Sequence, residues 1–290
     1  MTQFLQVIIL GLCLGFVYAL MVSGLTLIFG VMRIVNLAHP ILIISGAFVS
    51  YWMFTLLGLD PILSIPFSAC VVALMGIIIY KLVFEKDAAK QTYSEMTVLL
   101  TFGTAMLIDG ILAYFFHNTQ RITSPSYSTD AIFLGDLFIP TAQLYSGLVS
   151  ATIIIILSVF LKYSDFGVAI RATSQNRTSA ELVGVNVKFV CLVSFGIGCA
   201  LAGSAGALVS FVFSFFPSRH WEWIAILMSL VVLGGMGSLT GAVTGALVLS
   251  VLSSLVGAYY SPAWSTMVFF LSLFLILLVR PKGLFGNQYE

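Results

Sequence analysis

Long runs of uncharged, mostly apolar residues alternate with short polar segments along the chain. Such runs occupy 1–32, 34–59, 61–80, 137–161, 189–218 and 223–279, and another at 96–120 is interrupted only by Asp109. A helix needs roughly 20 apolar residues to span a bilayer. Because the last run is long enough for two or three passes, the pattern predicts eight or nine transmembrane helices.

The same pattern argues against a β-barrel. Barrel strands would alternate apolar and polar residues in segments of roughly ten, whereas these runs are continuously apolar. We therefore predict an all-α polytopic membrane protein in which residues 1–290 form a single domain. Short broken segments are expected near the glycine-rich stretch at 234–245.

Composition supports this class. The chain is 60% hydrophobic and 8% charged, with a mean hydropathy of +1.11. A soluble domain carries about 25% charged residues, so this chain has too few charges to build a soluble surface. Its four cysteines show no CxxC spacing and no histidine companions at metal-ligand spacing, so we predict neither a metal site nor a catalytic centre.

The distribution of charge predicts the orientation. Lys and Arg concentrate in cytoplasmic loops. Placing 81–95 and 162–188 inside, with Arg33 and the basic tail, leaves only Arg121 and Arg219 of the twelve basic residues outside. The N-terminus is then outside and the C-terminus inside. That requires an odd number of passes: nine passes fit, and eight need one re-entrant segment.

The stretch GGMGSLTGAVTG at 234–245 could be a nucleotide-binding loop or a place where helices pack closely. The nucleotide-binding interpretation fails because the residues that it requires are absent. A phosphate-binding P-loop needs a lysine, and a dinucleotide-binding loop needs an acid about 20 residues on; neither is present. Small residues at helical spacing instead let helices pack closely in lipid. This spacing joins Gly237, Gly241 and Gly245, and it also joins Gly11 and Gly15. The dense glycines from Gly234 to Gly237 also predict a break that exposes backbone to a cavity.

Three motifs resemble one family. GLCLGFVYALMVSGLTLIFGVMRIVNLAHP resembles the first segment of bacterial branched-chain amino acid ABC transporter permeases, a group that also includes urea and amide transporters. GVAIRATSQNRTSAELVGVN is similar to their inner coupling loop, and GGMGSLTGAVTGA to their late glycine motif. The similarity runs in order from about residue 8 to residue 246. Pro40 departs from the family, which usually has glycine after the histidine.

The resemblance implies a function and a set of partners. The chain would be the permease subunit of an ATP-driven importer for branched-chain or related amino acids, located in the bacterial inner membrane. It would pair with a second homologous permease, two cytoplasmic ATPases and an extracytoplasmic binding protein, surrounded by membrane lipids and without nucleic acid. The chain has no Walker motif, so ATP and Mg would be used by the ATPases and this subunit would not be an enzyme.

The loop at 162–188 is the candidate coupling site. Ser174 can cap a short helix, and Gly184 can end it. Composition alone is typical of a solvated connector. The resemblance instead implies a coupling helix that inserts into the ATPase, with Arg171, Ala180, Glu181 and Gly184 as the coupling residues.

Three polar residues are candidates for the translocation path. Asp109, an acid inside a span, could line the path or bind a substrate ammonium group, or it could be a buried acid hydrogen-bonded to neighbouring helices; both alternatives stay open. Asn36 and His39 lie near the inner end of the second span. There we favour a helix-start turn, capped by Asn36 and with Pro40 in the first helical turn, over a gating role.

A rival function belongs to another class. The chain could be a self-sufficient secondary transporter driven by protons or sodium, with Asp109 as the coupling residue. Co-purification with ATPase chains would distinguish an importer subunit from such a transporter.

Overall fold

A computed structural model describes residues 2–85, 95–135, 137–280 and 283. Within these residues the chain forms eleven α-helices and one small antiparallel hairpin, which confirms the predicted all-α class. In chain order the helices are α1 Thr2–Met32, α2 His39–Leu57, α3 Ile65–Ile79, α4 Glu95–Phe116, α5 Thr141–Tyr163, α6 Asp165–Gln175, α7 Arg177–Leu182, α8 Val187–Val212, α9 His220–Gly234, α10 Leu239–Tyr259 and α11 Pro262–Val279.

Eight helices in the described residues are long and apolar enough to cross a membrane: α1 to α5, α8, α10 and α11. Helix α3 continues into a π-helical turn, Tyr80–Phe84, which completes its span. Helix α9 has 15 residues, or about 22 Å at 1.5 Å per residue, which is shorter than the roughly 30 Å hydrocarbon core. This count agrees with the predicted eight or nine helices.

The bundle has two ends, which we name by what they carry. The hairpin end carries β1 (Ala131–Leu134) and β2 (Leu137–Pro140), and the coupling end carries α6 and α7. Helix α9 starts at the hairpin end, since the preceding Phe215 exchanges backbone hydrogen bonds of 2.9 and 2.8 Å with Arg121. The turn that follows α9 reaches the coupling end, where Gly237 lies against Gly30 near the end of α1. Helix α9 and its glycine turn therefore run from one end of the bundle to the other, in addition to the eight candidate spans.

The hairpin end is fixed by polar contacts from its loops. The Tyr127 hydroxyl donates to Asp60 Oδ1 at 3.1 Å, and the backbone N–H of Ile62 donates to the same oxygen at 2.8 Å. Burial, together with the nearby Asp60 carboxylate, raises the pKa of Tyr127. Tyr127 therefore stays a neutral donor at physiological pH and ties the loop after α4 to the turn after α2.

Helices α1 and α8 form the centre of the bundle. Helix α1 packs against α5, α8 and α10, and α8 packs against α2 and α3. Of the 18-residue apolar stretch in each span, 78% is buried in α8 and 6% is buried in α11. Helix α8 is therefore buried on most sides, whereas α11 exposes most of its surface.

Glycine permits the closest approaches between these central helices. A methyl group added at Gly46 of α2 would lie 2.7 Å from the Cα atom of Gly203 in α8. One added at Gly11 of α1 would lie 2.9 Å from Cα of Val251, and one at Gly15 would lie 3.1 Å from Cα of Leu247, both in α10. Backbones this close leave no room for a side chain.

The structure corrects one helical face predicted from the sequence. Gly237 does not share a helix with Gly241 and Gly245, because α9 ends at Gly234 and α10 begins at Leu239. Gly235 and Gly237 have φ values of +90° and +87°, which an α-helix cannot contain. Only Gly241 and Gly245 lie on α10, where a methyl group at Gly245 would lie 3.2 Å from Leu233. The break predicted at these dense glycines is present.

We expect Gly46→Ala to destabilise the bundle by about 1–3 kcal/mol, because the new methyl group must push the α2 and α8 backbones apart. Gly103→Ala in α4 is the matched control, since a methyl group there meets nothing within 4 Å. It should be neutral or slightly stabilising, because alanine favours a helix over glycine. The measurement is the denaturation midpoint of each variant in detergent. Equal midpoints would contradict the close packing of α2 on α8.

Candidate functional site

The coupling end carries two short capped helices. Ser164 caps α6 by accepting a hydrogen bond from the Gly167 N–H at 2.9 Å. Asn176 caps α7 by accepting from the Ser179 N–H, also at 2.9 Å. Both caps have extended backbones, so each side chain reaches the free amides of the first turn. The loop at 162–188 is therefore an ordered pair of helices within the described residues.

Ser174 is not the cap that the sequence predicted. It lies inside α6, and its hydroxyl donates to the Arg171 carbonyl at 2.9 Å. The break falls two residues later, at Asn176, whose φ of −153° ends α6 and starts α7. Gly184 does end α7: it has φ +89°, and its N–H donates to the Glu181 carbonyl at 3.0 Å.

The four predicted coupling residues differ in how far they are buried. Arg171, Glu181 and Gly184 are exposed. Ala180 is only 3% exposed and belongs to the core of this chain, so its side chain does not form part of the exposed surface of α7. Leu182 and Val183, at the C-terminal tip of α7, are 83% and 78% exposed.

Helix α7 is anchored to α8. The Arg177 guanidinium donates to the Cys191 sulfur of α8 at 3.0 Å, and this contact holds one side of α7 against the bundle. The Val185 N–H donates to the Ala180 carbonyl at 3.0 Å, which closes the C-terminal end of α7. The opposite side presents two adjacent apolar side chains to water beside the acidic Glu181. Within the described residues, these two side chains are left uncovered by the rest of the chain.

Asp109 lies near the hairpin end of α4, seven residues before the helix ends at Phe116. Its side chain is 19% exposed, and its Oδ1 atom is buried without a hydrogen-bond partner. The nearest basic group is His220 Nδ1 at 3.8 Å, which is too long for a hydrogen bond. That nitrogen already lies 2.9 Å from the Pro217 carbonyl. A buried acid with a purely structural role would accept a hydrogen bond from a neighbouring helix, and Oδ1 of Asp109 accepts none.

Helix α4 has an open face beside Asp109. Added methyl groups at Gly103 and Gly110 would meet nothing within 4 Å. Leu99, Met106 and Leu107 on the same side are 54–64% exposed, and only 22% of the span is buried. Glycine costs roughly 1 kcal/mol in an exposed helix. Two glycines on an open face allow another backbone or a passing molecule to come close to the helix.

Asn36 and His39 form a buried turn between α1 and α2. Asn36 accepts a hydrogen bond from the Ala38 N–H at 3.1 Å, and His39 Nε2 lies 3.0 Å from the Met21 carbonyl. The cap residue of α2 is Ala38 and not the predicted Asn36, whose side chain bonds to the Ala38 N–H instead of to an amide inside the helix. Pro40 lies in the first helical turn, as predicted.

Both side chains of this turn are fully buried. They lie near the coupling end, far along the bundle from Asp109, so the structure does not bring the three predicted path residues together. These contacts support the structural role of Asn36 and His39.

Comparison with known sequences identifies the protein family of this chain. A profile described as "Branched-chain amino acid transport system / permease component" matches residues 7–278. The permease LivH of a high-affinity branched-chain amino acid transport system from Salmonella typhimurium is 28% identical, covering 98% of this chain and 96% of the relative. The corresponding permease BraD of Pseudomonas aeruginosa is 24% identical, with the same shares covered.

The fold also resembles a solved structure, PsaBC from Streptococcus pneumoniae in complex with Fab. The TM-score is 0.52 at 13% identity, covering 94% of this chain and 91% of the other. At this identity the likeness concerns the fold alone.

We expect Val183→Cys to react quickly with a maleimide and Ala180→Cys to react slowly, in a background where serine replaces the exposed Cys70 and the three buried cysteines are kept, because Cys191 holds Arg177. The reason is the difference in exposure between Ala180 inside α7 and Val183, the residue that follows the helix. The measurement is the labelling rate of each variant in detergent. Similar rates would show that α7 is rotated or unfolded.

Proposed function

This chain belongs to the family of branched-chain amino acid transport system permease components, and on that premise we propose that it is the membrane-spanning subunit of an ATP-driven importer for branched-chain or related amino acids. The chain is a multi-pass protein of the inner membrane. Its proposed partners are a second homologous permease, two cytoplasmic ATPases that use ATP and Mg, and an extracytoplasmic binding protein. The exposed tip of α7 is the single observation that carries the mechanical part of the proposal.

The proposed orientation places the coupling end in the cytoplasm. Helices α6 and α7 with their flanks carry Lys162, Arg171, Arg177 and Lys188, whereas the described residues of the hairpin end carry Arg121 and Arg219. The asymmetry follows the rule that basic residues stay in cytoplasmic loops. Nine crossings then leave the N-terminus outside and the C-terminus inside.

Coupling is proposed to run through the tip of α7. Leu182 and Val183 would enter an apolar cleft of the ATPase, while Glu181 and Arg171 would make charged contacts at its rim. Because α7 is anchored to α8 through Arg177, a pull on the tip acts directly on the most buried helix of the bundle. Movement of the ATPases would thereby tilt the central helices and switch the path from outward to inward.

The path is proposed to follow the open face of α4. In the assembled transporter, the second permease would face Gly103 and Gly110, and substrate would pass between the two subunits. Apolar residues on this face suit an apolar amino-acid side chain. Asp109, with an unpaired oxygen near the outer end, supplies the negative charge that an ammonium group would meet first.

Removing the α7 tip tests the coupling step. We expect the double variant Leu182→Ala and Val183→Ala to weaken ATPase association by about tenfold or more, because it deletes two apolar anchors of the contact. The readouts are ATPase co-purification and substrate-stimulated ATP hydrolysis in reconstituted vesicles. The control is the double variant Ile156→Ala and Val159→Ala on α5, which trims two similarly exposed side chains within a span. Full association and coupled hydrolysis in the tip variant would refute the coupling role.

Asp109→Asn tests the charge in the path. If Asp109 meets the substrate ammonium group, we expect the apparent KM for transport to rise by about tenfold, because a charged hydrogen bond is lost. Glu222→Gln is the control, since it removes an acid that is exposed at the same end. An unchanged KM with Asp109→Asn would assign Asp109 to packing within this chain.

A further inference from the structure

An apolar groove lies between α2, α3 and α4. Its volume is about 410 Å³, and its walls include Phe48, Trp52, Met53, Met75, Leu112 and Phe116. The one hydroxyl among its lining residues, on Ser45, already donates to the Ile41 carbonyl at 2.9 Å. The groove walls therefore offer hydrocarbon surface and no free hydroxyl.

The dimensions of the groove match one leaflet of a membrane. Along α2 it extends from Ser45 to Leu57, which is about 18 Å at 1.5 Å per residue. One leaflet contributes half of the roughly 30 Å hydrocarbon core. Leu56 and Leu57 at its hairpin end are 72% and 70% exposed, so the groove is open at that end. An extended hydrocarbon chain fits this shape.

A cation without a carboxylate partner stands at the hairpin end of the groove. The Arg121 guanidinium donates to the carbonyl of Phe116, a wall residue, at 3.1 Å. It also lies 5.8 Å from the ring centre of Trp52, another wall residue, and 5.2 Å from that of Tyr51. Among the described residues no carboxylate pairs with Arg121, and its Nε atom has no hydrogen-bond partner.

We propose that the groove binds a membrane phospholipid, with one acyl chain along α2 and the phosphate on Arg121. An arginine pairs well with a phosphate, because its guanidinium presents several donors in a planar fork. Tyr51 and Trp52 place this cation at the depth where aromatic residues meet lipid headgroups. Charge at the mouth and hydrocarbon along the walls together select a phospholipid over a detergent-like apolar solute or a free phosphate.

The bound lipid would support a weakly held helix. Within the described residues, α4 has few contacts with the rest of the chain, chiefly with α2 and with the short turn Pro217–Arg219. An acyl chain between α4 and the α2–α3 pair fills the space that protein side chains leave empty. This role does not depend on which solute the protein carries.

Photolabelling tests the acyl chain. The complete transport complex is reconstituted with phosphatidylglycerol that carries a diazirine on one acyl chain, and crosslinked peptides are mapped by mass spectrometry. We expect labelling of the wall segments of α2 and α4. Val49→Phe, which fills the groove, should reduce that labelling several-fold. Val248→Phe, the same exchange at an exposed position of α10, should leave it unchanged.

Two variants of the cation test the headgroup contact. Arg121→Gln should reduce labelling of the groove by about tenfold, because it removes a charged hydrogen bond to phosphate. Arg121→Lys keeps the charge but lacks the planar fork, so its labelling should fall between wild type and Arg121→Gln, which also shows that the loss with glutamine is not misfolding. Equal labelling in wild type, Val49→Phe and Arg121→Gln would overturn the proposal. So would a disulfide from Val49→Cys to a second subunit, because the groove would then be a protein interface.

Discussion

Close contact between helix backbones is the constraint on which this bundle depends. Inside a bilayer no hydrophobic effect drives helices together, so they associate through van der Waals packing that requires small residues. Gly46 against Gly203 joins α2 to α8, and Gly11 and Gly15 join α1 to α10. The glycine turn after α9 meets α1 at Gly30 in the same way. These contacts fix the central helices, and every other element is positioned relative to them.

The outer helices pack less closely than the core, and the surfaces proposed to be functional lie on these exposed helices. Helix α4 turns Gly103 and Gly110 to open space, whereas the glycines of the core meet a neighbouring backbone. Helix α7 exposes Leu182 and Val183 while Arg177 holds it to α8. A rigid centre with open faces suits a subunit that gains its remaining contacts from partners and from lipid. In the proposed transporter, force enters at α7 and passes through α8 and α2 to the path beside α4.

The sequence predicted the spans well, because continuous apolar runs have one physical interpretation in a chain with so few charges. It predicted less well wherever one residue decided the local backbone. Gly237 fits a helical spacing, but its positive φ places it in the turn between α9 and α10, and spacing carries no information about φ. Ser174 and Asn176 are both good caps, and only the path of the chain selects Asn176. Ala180 and Leu182 lie on a helix of six residues, too short for periodicity to indicate which side faces the core.

Uptake of a radiolabelled branched-chain amino acid by vesicles that contain the complete complex tests the central claim most directly. ATP is supplied on the side of α6 and α7, the binding protein is supplied on the side of the hairpin, and no ion gradient is applied. The account predicts uptake that requires both additions and stops when ATP is replaced by a non-hydrolysable analogue. Uptake by this chain alone, driven by a proton or sodium gradient without ATP, would contradict it and would identify a secondary transporter.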